Sequence, residues 1–260
     1  MEVPPPITQA TPETNVPVGD GNSEMEKPVA KTAAPASGQQ FQLDTTRARI
    51  VVVCGACGSG KSYATRALLK TLFQQGVLKW IRIYSHTAAA NREYDWAPEG
   101  CVHPISLDAV STYHKKLLKA REDQGGVELP QNAIIWDDSL GALKNPYDPR
   151  LTSLFATHRH SGTWLFYLSQ TATGIPTTLR SLCDYALIFA SRFHRERRHL
   201  FHFCGSWFAR EKEFLAVFDR ATEGKHYSMV YINRQDSLAE TYMSWKSDEI
   251  GDFRLDFPVV

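Results

Sequence analysis

The chain has 260 residues, 43% hydrophobic and 22% charged, with a net charge of +1. That length suits one α/β domain with appendages, and the composition is that of an ordinary globular protein. No apolar run reaches about 18 residues and no basic-then-apolar leader opens the chain, so neither a membrane span nor a signal peptide is expected.

The near-neutral total conceals an asymmetry. Residues 1–45 carry two basic and six acidic side chains, which leaves the remainder with 27 basic and 22 acidic of the chain's 29 and 28. A mild basic excess on the folded part is compatible with a polyanionic partner. Residues 1–40 contain no aromatic residue, and seven of the fourteen prolines lie before residue 36. Such a segment buries too little surface to offset its ordering entropy, so residues 1–44 are read as a disordered, Pro-rich acidic tail and residues 45–260 as the folded domain. Order is expected from near Phe41.

Arg49–Cys54 is an apolar, β-branched run, as a buried parallel strand requires. Ser62–Gln75 reads as a helix with Ala67, Leu68, Leu69 and Leu72 on its apolar side. Leu78–Tyr84 alternates as a second strand, and residues 86–104 look irregular. Leu107–Glu122 is an amphipathic helix ended by Gly125-Gly126. Ala133–Trp136 is a third buried strand, Asp148–His158 a helix, and Thr163–Ser169 a fourth strand. A loop and short helix over Thr171–Leu182 precede a fifth strand at Tyr185–Ala190. Helices near 193–203 and 207–222 and a late strand at Tyr227–Ile232 complete the pattern. Strands alternating with helices predict an α/β fold with a mainly parallel, doubly wound sheet and flanking helices.

Gly55-Ala56-Cys57-Gly58-Ser59-Gly60-Lys61-Ser62 matches the phosphate-binding pattern G-x-x-x-x-G-K-[ST] in full, between an apolar strand and a helix. The glycines let successive backbone N–H groups point inward as an anion nest, and the helix N-terminus adds partial positive charge. These eight residues with Tyr63 are the expected nucleotide contacts. Lys61 would reach the β- and γ-phosphates of ATP, and the Ser62 hydroxyl would ligate Mg²⁺. The run ending in Asp137-Asp138 delivers acids to the same sheet edge. Asp137 is the expected Mg²⁺ carboxylate, through water, and Asp138 the group that orients or deprotonates the attacking water. Gln170 ends the fourth strand at the edge where open α/β sheets bind ligands. Its amide could bond both water and γ-phosphate, although a polar strand end often has no role.

Three stretches together, GACGSGKS, AIIWDDS and ATHRHSGTWLFYLSQTATGIPTTLR, resemble the FtsK–HerA superfamily of DNA-pumping P-loop ATPases. Within it the likeness is to the genome-packaging ATPases of poxviruses, other large DNA viruses, virophages and polinton-like elements. It covers roughly residues 48–235, and its specific part is the order Arg159-His160, strand, Gln170, Pro176, Arg180. The resemblance implies a RecA-like core, ATP between neighbouring subunits and a homo-oligomeric ring, a hexamer, around double-stranded DNA gripped without regard to sequence. It implies Gln170 as a polar sensor and an arginine finger acting on the neighbour's phosphate, with Arg180 the first candidate, Arg159 the second and Arg192 the third. It also implies a capsid or portal partner, no membrane, and action in the host cytoplasm or nucleus at viral assembly sites or within the virion.

Other features are weighed against plainer readings. Ser191–His202 is the densest basic stretch and could neutralise DNA phosphates, although charged helices are usually solvated faces or subunit contacts. Lys115, Lys116 and Lys119 form a second candidate patch. His158 and His160 lack a third metal ligand and are read as structural or interface groups. Cys54-x-x-Cys57 lies inside the phosphate loop, and no second ligand pair has suitable spacing, so a zinc site is rejected. Five cysteines at scattered spacing point to a reducing compartment. Two other functions remain open: a helicase on single-stranded nucleic acid, and a nucleotide-dependent assembly scaffold without motor activity.

Overall fold

The structure is a computed structural model and describes residues 41–87, 93–98, 100–125, 130–137, 148–233 and 238–255. The expected disorder of residues 1–40, and Asp138, lie outside these residues.

The strands in chain order are β1 (Ile50–Cys54), β2 (Leu78–Ser85), β3 (Val102–His103), β4 (Gln131–Asp137), β5 (Thr163–Ser169), β6 (Tyr185–Phe189), β7 (Tyr227–Ile232) and β8 (Tyr242–Lys246). They form one eight-stranded sheet in the order β3-β2-β4-β5-β1-β6-β7-β8. The six strands from β3 to β6 run parallel, while β7 and β8 extend the sheet as an antiparallel hairpin pair. The fold is thus the predicted α/β class with a mainly parallel sheet. The two edge strands, β3 and β8, were not legible: β3 has only two residues, inside the stretch read as irregular, and β8 is defined by its pairing to β7.

β1 and β5 are buried throughout, which explains their near-continuous apolar sequences. Successive side chains of a strand face opposite sides, so β1 feeds two cores at once. Ile50, Val52 and Cys54 join one core, with Leu165, Tyr167, Leu200, Phe214 and Phe218. Val51 and Val53 join the other, with Ala64, Leu68, Leu72, Phe166 and Leu168.

Helices cover both faces. α1 (Lys61–Gln74) follows β1, α2 (Leu107–Asp123) precedes β4, and α3 (Pro149–Thr157) precedes β5. α4 (Thr177–Leu182) precedes β6, and α5 (His194–Cys204) and α6 (Glu211–Ala221) fill the β6–β7 connection. Local signals set their starts: the Ser106 hydroxyl accepts from the Ala109 amide at α2, and Asp148 caps α3 by accepting from the Arg150 amide. Among the described residues, no helix is long and apolar enough to cross a membrane.

Candidate nucleotide site

Because β1, β4 and β5 are parallel and adjacent, their carboxyl ends open on one sheet edge. β5 lies between the other two, with Cys54 level with Ser169 and Trp136 level with Tyr167. The loop after β1 begins with the Gly55 amide donating to the Ser169 carbonyl at 3.1 Å. A side chain at Gly55 would come within 2.6 Å of Ser59 Oγ and 2.8 Å of Phe189 Cβ, so only glycine fits this close approach. Gly58 and Gly60 take φ of +73° and +104°, the left-handed conformations that let the loop curl over the start of α1. Gly60 provides no side-chain cap and no acidic residue occupies the first turn of α1, so its amide donors and dipole remain directed at an incoming anion. Lys61 Nζ donates to the carbonyls of Gly55 at 2.8 Å and Ala56 at 3.0 Å, which holds the ammonium within the loop.

Asp137 ends β4 at 5% exposure and accepts a hydrogen bond from Tyr94 Oη at 2.5 Å. A cavity of about 360 Å³ brings Gly60, Lys61 and Ser62 together with Asp137 and Gln170. The cradle, the two expected magnesium ligands and the expected sensor, Gln170, therefore line one opening. Sequence reasoning missed Glu93, which lines the same opening, and Tyr94, which is buried behind it and bonds Asp137. Their only signal was an aromatic pair, Tyr94 and Trp96, in a stretch without helix or strand periodicity.

The arginine candidates separate. Arg159 pairs with Asp184 at 2.8 Å, and Asp184 bonds the first residue of β1, so this ion pair sits at the strand end opposite the loop. Arg180 donates from Nε to the Ile175 carbonyl at 3.0 Å and from Nη2 to the Ala172 carbonyl at 2.8 Å, stapling the segment just beyond Gln170. Arg192 is exposed and follows β6 on the loop's side of the sheet.

Within the basic stretch, Arg197 makes a two-pronged bond to Asp219 at 2.6 and 2.7 Å, a structural role. Glu196 accepts from the Ala172 amide at 2.6 Å, linking α5 to the segment after Gln170. Arg192, Arg195 and Arg198 are exposed, as are Lys115, Lys116 and Lys119.

Burial pushes the Cys54 thiol up to about 12, whereas Cys57 is exposed on the loop. His158 is buried and its Nδ1–H donates to the Thr163 carbonyl at 3.0 Å, an internal structural bond. His160 is exposed.

No family model matches the sequence, and no curated protein does. Solved structures do resemble this one. The genome packaging NTPase B204 from Sulfolobus turreted icosahedral virus 2, in complex with AMPPCP, is 16% identical with a TM-score of 0.58, over 77% of this chain and 98% of that one. The pCW3 conjugation coupling protein TcpA with ATPγS is also 16% identical with a TM-score of 0.58, over 83% of this chain and 64% of that one. The cytoplasmic domain of the Thermomonospora curvata Type VII secretion ATPase EccC is 15% identical with a TM-score of 0.52, over 82% of this chain and 28% of that one. The likeness is one of fold, and it agrees with the resemblance carried by the motifs: this chain has the P-loop NTPase fold.

Proposed function

We propose that the chain is an ATPase that moves double-stranded DNA, packaging a viral genome into a capsid as a ring of identical subunits. One observation carries the reading. A single cavity joins Lys61 and Ser62 of the glycine loop, Asp137 at the end of β4 and Gln170 at the end of β5. Simple nucleotide binding needs the loop, whereas hydrolysis also needs the strand-end carboxylate and a polar group near the γ-phosphate. The fold shared with a genome packaging NTPase supports the motor function.

The amides of Gly58–Ser62 would cradle the phosphates, and Lys61 would exchange its carbonyl partners for β- and γ-phosphate oxygens. Ser62 and Asp137 offer the hard oxygen donors that suit Mg²⁺. When bound there, the cation would neutralise charge developing on the phosphates. Gln170 would orient water with one end of its amide and meet the γ-phosphate with the other. Exposed Arg192, Arg195 and Arg198 would grip DNA through phosphates, which gives affinity without sequence preference.

The test is Mg²⁺-dependent ATP hydrolysis with and without duplex DNA at low salt. Duplex DNA should bind and stimulate turnover, and Lys61→Ala should abolish it. Duplex DNA that neither binds nor stimulates would remove the motor function. Unwinding of tailed duplexes would instead identify a helicase. Replacing Arg192, Arg195 and Arg198 should flatten the salt dependence of DNA binding by roughly 0.9 in log–log slope per lost phosphate contact.

A further inference from the structure

We infer that Tyr94 is the residue that orients Asp137 for the magnesium ion, a positioning role that rests on the nucleotide reading above. The backbone of a strand-end aspartate is fixed by the sheet. Its last torsion is broad and roughly two-fold, so the strand alone does not set the plane of its oxygens. Tyr94 Oη donates to Asp137 Oδ2 at 2.5 Å, a length typical of a hydroxyl bonded to a carboxylate. Both residues are 5% exposed, so water competes little for the bond. The acceptor oxygen is thereby held, and the plane of the carboxylate with it, at the cavity that Lys61 and Ser62 also line. Partners of this kind fix a metal's ligands in place, and magnesium tolerates little departure from octahedral coordination.

The turn that carries Tyr94 is anchored to the helix that carries Ser62. The Ala97 amide donates to the Tyr94 carbonyl at 2.9 Å, and Trp96 Nε1 donates to the Glu93 carbonyl at 3.0 Å. The Trp96 ring lies 6.0 Å from that of Tyr94. Arg66 stands one turn after Ser62 on α1. Its guanidinium lies 5.5 Å from the Trp96 ring centre and donates to the Phe253 carbonyl. Phe253 stacks on Trp96 at 6.4 Å, and the Trp96 carbonyl accepts from the Leu255 amide at 2.9 Å. Tyr94 and Trp96 share one core with Leu68 and Leu72 of α1. The two expected magnesium ligands, Ser62 on α1 and Asp137 through Tyr94, are therefore tied to one packed block.

A buried tyrosine hydroxyl needs an acceptor wherever it lies, and any backbone carbonyl would satisfy packing. Here the acceptor is the carboxylate at which β4 opens into the nucleotide cavity. The two roles differ in what removal of the hydroxyl does. Loss of a packing bond lowers stability at any magnesium concentration. Loss of a positioning bond weakens the hold on the cation and leaves the phosphate loop, which follows β1, as it was.

The experiment compares the full chain with Tyr94→Phe, Asp137→Asn and the two combined, measuring affinity for a fluorescent non-hydrolysable ATP analogue as Mg²⁺ is titrated and again in EDTA. Tyr94→Phe keeps the ring and removes the hydroxyl. It should raise the Mg²⁺ concentration of half-maximal effect by about 10–100-fold, the range for loss of a partner behind a metal ligand, while analogue affinity in EDTA stays within about threefold. On the Asp137→Asn background the same substitution should change that concentration by less than about twofold, because no carboxylate remains to be oriented. Trp96→Phe loosens the turn and keeps the hydroxyl, so it should shift the Mg²⁺ requirement in the same direction, and it replaces Tyr94→Phe if that chain does not fold. An unchanged Mg²⁺ requirement, an equal loss of analogue affinity in EDTA, or a full shift retained on the Asp137→Asn background would each overturn the assignment. Failure of the unsubstituted chain to bind the analogue with or without Mg²⁺ would overturn the underlying nucleotide reading instead.

Discussion

Asp184 gives a prediction whose size follows from the geometry. Its carboxylate accepts from the Ile50 amide at 2.9 Å, from Arg49 at 3.3 Å and from Arg159 at 2.8 Å. The side chains of Asp184 and Arg49 are 12% and 10% exposed, and that of Arg159 is 33% exposed. Asp184→Asn keeps the shape and removes the charge, so two guanidinium groups face each other beside a neutral amide. Breaking one side of a fully buried ion pair costs about 3–5 kcal/mol. Arg49 retains Asp44 as a partner and Arg159 is partly screened by water, so about 2–3 kcal/mol is expected here. At about 2–4 °C per kcal/mol for a domain of this size, the midpoint of thermal unfolding should fall by about 4–12 °C. Circular dichroism measures the melt, and fluorescence titration measures affinity for an ATP analogue. Affinity should not change, because Asp184 lies at the strand end opposite the loop. A midpoint within about 1 °C of the unsubstituted chain, or lost affinity without lost stability, would refute the reasoning. Arg159→Ala should destabilise in the same direction by less; a loss of turnover without destabilisation would mark Arg159 as a finger instead.

Three further outcomes follow from other contacts. Burial depresses the pKa of both His114 and His158 to about 4 from the usual 6.5, with Asp184 and Arg159 as the charged neighbours of His158. The unfolded chain therefore takes up protons first, and stability present above pH 6.5 should fall by up to about 1.4 kcal/mol per pH unit per histidine on acidification towards pH 4. Urea titrations across that interval check this, and a flat profile would contradict the buried neutral state. Gly55→Ala should weaken binding of the ATP analogue, because the added methyl meets Ser59 and Phe189 and the cradle must shift; unchanged affinity would show that the loop yields cheaply. Glu196→Ala removes the acceptor for the Ala172 amide and should lower DNA-stimulated turnover more than basal turnover, since it unlinks the basic helix from the segment after Gln170. Equal loss in both would leave Glu196 a structural role only.

The sequence by itself determined what depends on neighbours in the chain. The glycine loop, the strand before it and the helix after it are contiguous, so their spacing states both the backbone geometry and the anion chemistry. Buried parallel strands likewise announce themselves, because both faces must be apolar. Gln170 was legible for the same reason, as the polar residue at which β5 stops. Tertiary structure decided what depends on residues far apart in the chain. Tyr94 meets Asp137 across 43 residues, Arg159 meets Asp184 across 25, and Glu196 meets Ala172 across 24. Whether an arginine is a free cation or a staple depends on which carbonyls and carboxylates the fold sets beside it, as Arg180 and Arg197 show. Glu93 is the clearest instance: in the chain it is one acid in an irregular stretch, and only the fold brings it to the cavity that Lys61 and Asp137 also line.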